Sequence, residues 1–159
     1  MGDIKTASGS KLYIGPAITS ATDTLAEFRS ITSWVEIGLI ENLGEVGDEA
    51  ALVTGAAIGD ARVRKAKGAR DGGNMTVVCF HDPEDAGQIA AIAAADDASN
   101  SNYAFKLTLN DPPVGQIGTI EYFRALVMGE RLNVGTNDNI MRRTFNLAVN
   151  SAQVIDPST

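Results

Sequence analysis

Cys79 and His81 stand two residues apart in MTVVCFHD. In an extended stretch they share one side, and a thiolate beside an imidazole is a nucleophile–base pair. The chain has one cysteine and one histidine. A zinc site would therefore have to be completed by carboxylates, and no disulfide can form within the chain. A cysteine at the end of an apolar strand followed by a histidine in a turn is the ordinary arrangement of an inert core thiol, and it is the reading adopted. Asp96, Asp97, Ser99, Asn100 and Asn102 cluster oxygen atoms, as do Asn137, Asp138 and Asn139. Neither run has the central glycine and closing glutamate of a calcium loop; a helix end and a turn account for them. Glu36, Glu41 and Glu121 could supply an acid–base pair, but exposed strand carboxylates need no such role. No phosphate-cradling glycine loop with its lysine and no G-x-S-x-G elbow is present. The expectation is no catalytic residue, no metal and no cofactor.

Any such groups would have to be held by elements legible in the hydrophobic pattern. The 159 residues suit one domain, residues 1–159, with a core of its own. Residues 1–10 read as a flexible arm, 42–57 as a flexible loop and 152–159 as a tail. No stretch approaches the roughly 18 apolar residues of a membrane helix, and MGDIKTASGS lacks a hydrophobic signal core. No membrane association and no secretion are expected. The net charge of −7 disfavours a grip on nucleic acid, because a phosphate backbone is repelled at long range.

KLYIG reads as a strand ended by Gly15–Pro16, 20–30 as a helical turn or an irregular link, and 33–41 as a strand. Residues 58–67 alternate and 68–73 read as a turn. MTVVCF (75–80) is apolar on both faces, as in a strand covered on both sides. Asp82 then reads as a helix N-cap with Pro83 at the first helical position; Ile89, Ile92 and Ala93 form the apolar stripe. Strands follow over 103–109, 119–134 and 140–150, with Met141, Phe145, Leu147 and Val149 facing inward on the last. The tail from Ser151 reads as frayed. About seven strands, one clear helix and no βαβ rhythm predict a mainly β protein, α+β by content: an antiparallel sandwich or barrel with a helix over one opening or edge.

The stretch SWVEIGLIENLGEVGDEAALVTG starts as a strand and then turns into a run of Gly, Ala and acid. Glu41, Glu45, Asp48 and Glu49 lie in it. Arg62, Arg64, Lys65, Lys67 and Arg70, the one basic cluster, follow it directly. The cluster could bind phosphate or protect a solvated sheet edge. A third reading joins the two: one copy's acidic flap meets another copy's basic strand in a symmetric assembly. Glu41, Glu45, Asp48, Glu49, Arg62, Arg64 and Lys65 are the candidate interface residues.

In order and texture the chain resembles the tail tube (major tail) proteins of long, flexible-tailed bacteriophages. The likeness spans roughly residues 11–151. It runs through WVEIGLIENLGEVGDE, a Gly-rich flap, RVRKAKG, ARDGG, MTVVCF, HDPEDAGQ and YAFKLTL, and closes on TIEYFRALVMGERLNV and MRRTFNLAVNS. The resemblance implies a β-sandwich flanked by a helix. It implies a homo-hexamer whose inner strands form one continuous β-barrel, and rings stacked into a tube around a tape measure protein. Tail tip (initiator) and tail terminator proteins would be further partners. Genome DNA would pass through the lumen without specific binding. The subunit would be assembled in the host cytoplasm and reside in the virion tail.

Three features agree with this. Ring closure removes costly sheet edges. Six copies at −7 carry −42, which suits a non-stick conduit. The flap can order only on assembly. The other readings are a tube protein of a secretion machine and a small monomeric β-sandwich that binds a carbohydrate. For the latter, exposed aromatics are few: Trp34 is the one tryptophan.

Overall fold

A computed structural model of the protein describes residues 3–18, 23–112 and 115–157. The first two residues of the arm, the first three of the 20–30 link and the last two of the tail lie outside them. The elements are β1 (Lys11–Ile18), α1 (Leu25–Ser30), β2 (Val35–Ile37), β3 (Ile40–Asn42), β4 (Glu49–Gly55), β5 (Arg64–Asp71), β6 (Asn74–Phe80), α2 (Ala86–Asp96), β7 (Asn102–Thr108), β8 (Ile120–Asn133), β9 (Arg142–Val149) and β10 (Val154–Asp156). Every ladder is antiparallel.

The main sheet has the order β2-β1-β7-β8-β9-β6-β3, with β10 also on β8. β2 and β3 lie at its two extremes, yet only Gly38 and Leu39 separate them in the chain. Two residues span less than about 11 Å, so the sheet must curl until its ends are neighbours. The expected sandwich or barrel is realised as one curled sheet, with no ladder joining β2 to β3 among the described residues.

The core fills the inside of the curl. Leu12, Met75, Cys79, Phe105, Phe123 and Phe145 are all 0–1% exposed, and Phe105 stacks on Phe123 at 5.5 Å between centroids. A second, smaller core lies on the opposite face of the same sheet. There Phe28 of α1 stacks on Tyr122 at 5.3 Å, beside the fully buried Ala104. The alternation of β7 and β8 is accordingly blurred where both faces are covered: Ala104 and Phe105 are adjacent and both buried, as are Tyr122 and Phe123.

Several expected elements differ. The 33–41 strand is broken into β2 and β3, because Leu39 turns the chain at φ +56°. Gly15–Pro16 does not end β1. It sits at a bulge between Ile14 and Ala17, a position that tolerates a missing ladder N–H. The 58–67 strand and 68–73 turn give way to a loop over 56–63 and a strand over 64–71; the turn proper is Gly72–Gly73, where Gly73 has φ +67°. The loop expected over 42–57 contains β4, and the tail expected to fray contains β10, paired with Tyr122, Glu121 and Ile120. Met141 is 42% exposed because β9 begins only at Arg142.

The helix is capped three residues later than expected. Asp82 instead accepts from Glu84 N (3.0 Å) in a turn, and Asp85 is the N-cap, accepting from Gln88 N at 2.9 Å. Its buried face is Gly87, Gln88, Ala91 and Ala94, while Ile89 is 53% exposed. Close approach explains the choice: a Cβ on Gly87 would lie 1.9 Å from Glu36 O, so α2 presents its small residues to β2.

Candidate assembly surface

β4 and β5 form a two-stranded sheet of their own. Their register runs from Glu49 opposite Asp71 at the base to Gly55 opposite Arg64 near the tip. Nearly every residue of the arm is exposed. Leu52 is 67% exposed, Val53 51% and Val63 52%, and Ile58 is fully open to solvent. An isolated two-stranded hairpin is marginal in water, and apolar side chains held out on such an arm mark a contact surface.

The candidate interface residues fall into three places. Glu41 is on β3, bound to Arg142 Nε at 2.6 Å. Glu45, Asp48 and Glu49 are exposed along the path into the hairpin base. Arg62, Arg64 and Lys65 are at or near the tip, where Arg62 N and Arg64 Nε donate to Asp60 at 3.1 and 2.7 Å. The acidic segment thus leads from β3 into the base of the hairpin, with only Glu49 inside β4, and the basic residues run from the loop at the tip back along β5.

The second feature is an incomplete edge. Ile120–Ala125 of β8 pairs with β7 on one side, and β10 and β9 line its other side. From Leu126 onward only the β9 side is paired among the described residues. The end of α2 lies beside Leu126–Met128; Gly129–Asn133 has no strand on that flank. Met128 and Leu132 are exposed there, at 64% and 41%. An open edge bearing apolar side chains is a template for another strand.

The groups that could do chemistry are occupied otherwise. Cys79 is fully buried and donates to Arg143 O at 3.5 Å. Burial, aided by Asp85 and opposed by Arg143, pushes its thiol up to about 11. His81 Nδ1 lies 3.5 Å from Arg143 Nε, and Arg143 also pairs with Glu130. Asp97 accepts from Ser99 N (2.9 Å) and from the Tyr103 hydroxyl (2.9 Å), and these bonds hold its carboxyl below the usual range. Glu36 faces Lys11 at 3.9 Å. Glu121, raised chiefly by burial and then by Asp111, accepts from Gln153 Nε2 at 2.7 Å. Each of the three glutamates sits on a different strand with its own partner. Trp34 leans on Tyr122 with centroids 6.0 Å apart, and Lys106 Nζ lies 5.3 Å over its ring. It presents no free platform for a sugar.

Residues the sequence reading passed over matter most at the seam of the curl. Gln88 is 1% exposed. Its amide bonds Gly38 O, Phe80 O and Asp82 N at 3.2, 2.8 and 3.1 Å, and Asp85 accepts from Gly38 N at 3.0 Å. A polar residue one turn into an alanine-rich helix gives no periodic signal.

A family model described as phage tail tube protein matches residues 16–154. No protein with a curated description matches the chain. Among solved structures, a chain of the anti-feeding prophage baseplate (cryo-EM, six-fold symmetrised) superposes with a TM-score of 0.72 at 10% identity, covering 99% of this chain and 98% of that one. A chain from the PVC sheath/tube terminator of an extracellular contractile injection system, in the extended state, gives 0.70 at 8% identity, with 98% of each covered. One from the sheath–tube complex of that kind of system gives 0.63 at 9%, covering 93% and 88%. At these identities the likeness is one of fold.

Proposed function

The chain belongs to the phage tail tube protein family, a family of structural tail components, and from that membership we propose that its subunits close into six-membered rings that stack into a hollow tube. The tube conducts genome DNA, and its partners are a tape measure protein inside and initiator and terminator proteins at its ends. Subunits are made and assembled in the host cytoplasm.

The observation that carries this reading is the half-paired β8. Gly129–Asn133 offers unpaired backbone groups along one flank, and a neighbouring copy around a ring axis supplies the missing strand. A closed ring leaves no such edge anywhere.

The channel wall in this reading is the face of β6, β9 and β8 that points away from the core. The register puts Asn74, Thr76, Thr144, Asn146 and Arg131 on it, with no carboxylate. Its hydroxyls and amides contact a passing polyanion weakly; of its cations, Arg142 is paired with Glu41 and Arg131 supplies an attraction, while the carboxylates of the subunit lie on other surfaces. The likeness in fold to chains of contractile injection systems supports a second form of the same function, a tube running inside a sheath.

Electron microscopy of the purified chain is the test. Six-fold rings or tubes with a central hole are expected. A 16.7 kDa monomer that stays monomeric when concentrated and when seeded with tube fragments would overturn the proposal.

A further inference from the structure

The rows of core residues on β6 and β9 end in side chains that carry charge or can take it up. On β6 the inner row is Met75, Val77 and Cys79, and His81, two residues on, keeps to the same side. On β9 the inner row is Val149, Leu147 and Phe145, and Arg143 continues it opposite Cys79. Glu130 of β8 lies opposite Phe145. The three meet at this end of the curl. Arg143 Nη1 donates to Glu130, and Arg143 Nε and Nη2 each lie 3.5 Å from His81 Nδ1. The ion pair is well covered, with the Arg143 side chain 12% exposed and that of Glu130 25%.

A guanidinium has donors and no acceptor, so His81 Nδ1 faces it only as a lone pair. That arrangement needs the neutral ring with its proton on Nε2. A proton on Nδ1 would set an imidazolium against a guanidinium, with Glu130 as the counter-ion of one of them. Arginine keeps its charge and histidine does not: its charge changes between about pH 5 and 8. The neighbouring groups are committed elsewhere. Cys79 of β6 donates to Arg143 O. In the loop before α2, Asp82 accepts from Glu84 N, and Asp85 accepts from Gly38 N and Gln88 N. Glu84 is exposed. Glu41 of β3 holds Arg142 of β9, and Arg131 is on the opposite face of β8. No carboxylate is bonded to the His81 ring among the described residues.

Glu130 is more than a counter-ion. It stands in Gly129–Asn133, the part of β8 with a strand on one flank only. The register shifts between Val127 and Gly129, and a Cβ on Gly129 would meet nothing within 4 Å. This segment is therefore held from the β9 side alone, by the ladder and by the bridge from Arg143 to Glu130.

We propose that His81 is a proton-operated latch on the open edge of β8. The neutral ring holds Arg143 against Glu130 and keeps Gly129–Asn133 extended and ready for a neighbouring strand. Protonation drives the guanidinium off the ring, weakens its hold on Glu130 and loosens the edge. The contact is complete with the neutral ring and is lost as pH falls through the imidazole's range. Subunits therefore join at neutral pH and above, and join poorly in mild acid. The inference rests on the ring reading and adds a control to the edge that the ring uses.

An NMR titration of the unaltered, unassembled chain tests it first. His81 is the one histidine, so the imidazole signals belong to it. The amides of 129–133 and 143 are expected to shift with the same midpoint as the ring. In His81→Gln, whose side-chain oxygen accepts from Arg143 without taking a proton, that common transition is expected to vanish. Assembly is the second readout. The lowest concentration that assembles is expected to rise by about tenfold or more as the ring is protonated, and to stay level over the same pH range in His81→Gln. Circular dichroism establishes that the variant is folded, and the titration of the unaltered chain decides the matter without it. Edge amides that ignore the ring's protonation, or a folded His81→Gln that keeps the pH dependence of the unaltered chain, would overturn the latch while leaving ring formation standing. An unaltered chain that forms no rings at any pH would overturn the ring reading and the control of assembly with it, and the titration would still show whether His81 governs the edge.

Discussion

Gln88 Nε2 donates to the carbonyl of Gly38, fifty residues earlier in the chain, at 3.2 Å. That bond ties the first turn of α2 to the two-residue link between β2 and β3. The ends of the curled sheet are therefore held by a helix side chain rather than by a ladder. Gln88→Leu keeps the volume but leaves Gly38 O, Phe80 O and Asp82 N without their partner. Each buried, unsatisfied group costs about 1 kcal/mol or more. A loss of about 3 kcal/mol is expected in urea unfolding, with an unchanged denaturant slope. A loss below about 0.5 kcal/mol would show that the seam is held elsewhere.

Gly87 is the second requirement at this seam. An added Cβ meets the backbone of Glu36 at 1.9 and 2.4 Å, so α2 or β2 has to move. Gly87→Ala would stabilise an exposed helix by about 1 kcal/mol. Here it is expected to destabilise by about 3 kcal/mol, and the direction of the shift in melting temperature decides between the two.

Asp111 and Glu121 respond to pH in opposite senses. Asp111 accepts from Thr119 N and Oγ1 at 2.7 and 2.9 Å, which lowers its carboxyl below the ordinary 3.8. Its contribution to stability is present above the ordinary range and is lost as pH falls through the lowered folded value. Glu121 is raised above 4.5, first by burial and then by Asp111. The folded state holds that proton more tightly, so this contribution is present at low pH and is lost as pH rises through the raised value. In a carboxyl NMR titration, Asp111→Asn is expected to move the Glu121 midpoint down. An unmoved midpoint would show that the two carboxylates do not interact.

Cys79 is expected to resist alkylation in the folded chain. With its thiol near 11, about one molecule in a thousand carries the thiolate at pH 8, and the side chain is fully buried. Labelling by iodoacetamide should track global unfolding along a urea series. Rapid labelling in native buffer would show that the β6 end opens locally.

The hairpin is expected to change its hydrogen exchange on assembly. In the free subunit, amides of 50–54 and 65–70 should exchange far faster than those of β6 and β9, because nearly every residue of the hairpin is exposed. In the tube they should become protected. Equal protection in both states would remove the arm from the interface.

The periodic part of the fold was legible in the sequence. Phe145, Leu147 and Val149 alternate and are buried as the pattern requires, because a strand with one core face has no other way to bury its apolar set; MTVVCF, read as covered on both sides, buries only Met75, Val77 and Cys79. The basic run from Arg62 to Arg70 and the acid before it were equally visible. The pairing of 49–55 with 64–71 into one hairpin was not: Gly-, Ala- and charge-rich strands carry no burial signal when neither face is covered. The buried face of α2 was misread for the converse reason. Apolar size does not decide which side packs when the backbones approach so closely that only Gly87, Ala91 and Ala94 fit.

Taken by itself, then, the chain's order of residues determined an antiparallel β protein, its main strands and its charge segregation, since these follow from local alternation and composition. Tertiary structure alone decided that β2 and β3 meet at a seam held by Gln88, that β8 is left half paired, and that β4 and β5 pair with each other as an exposed hairpin apart from the main sheet. The first two relations join residues far apart in sequence. Only the curl of the sheet, set by the two-residue link at Gly38–Leu39, brings them into register.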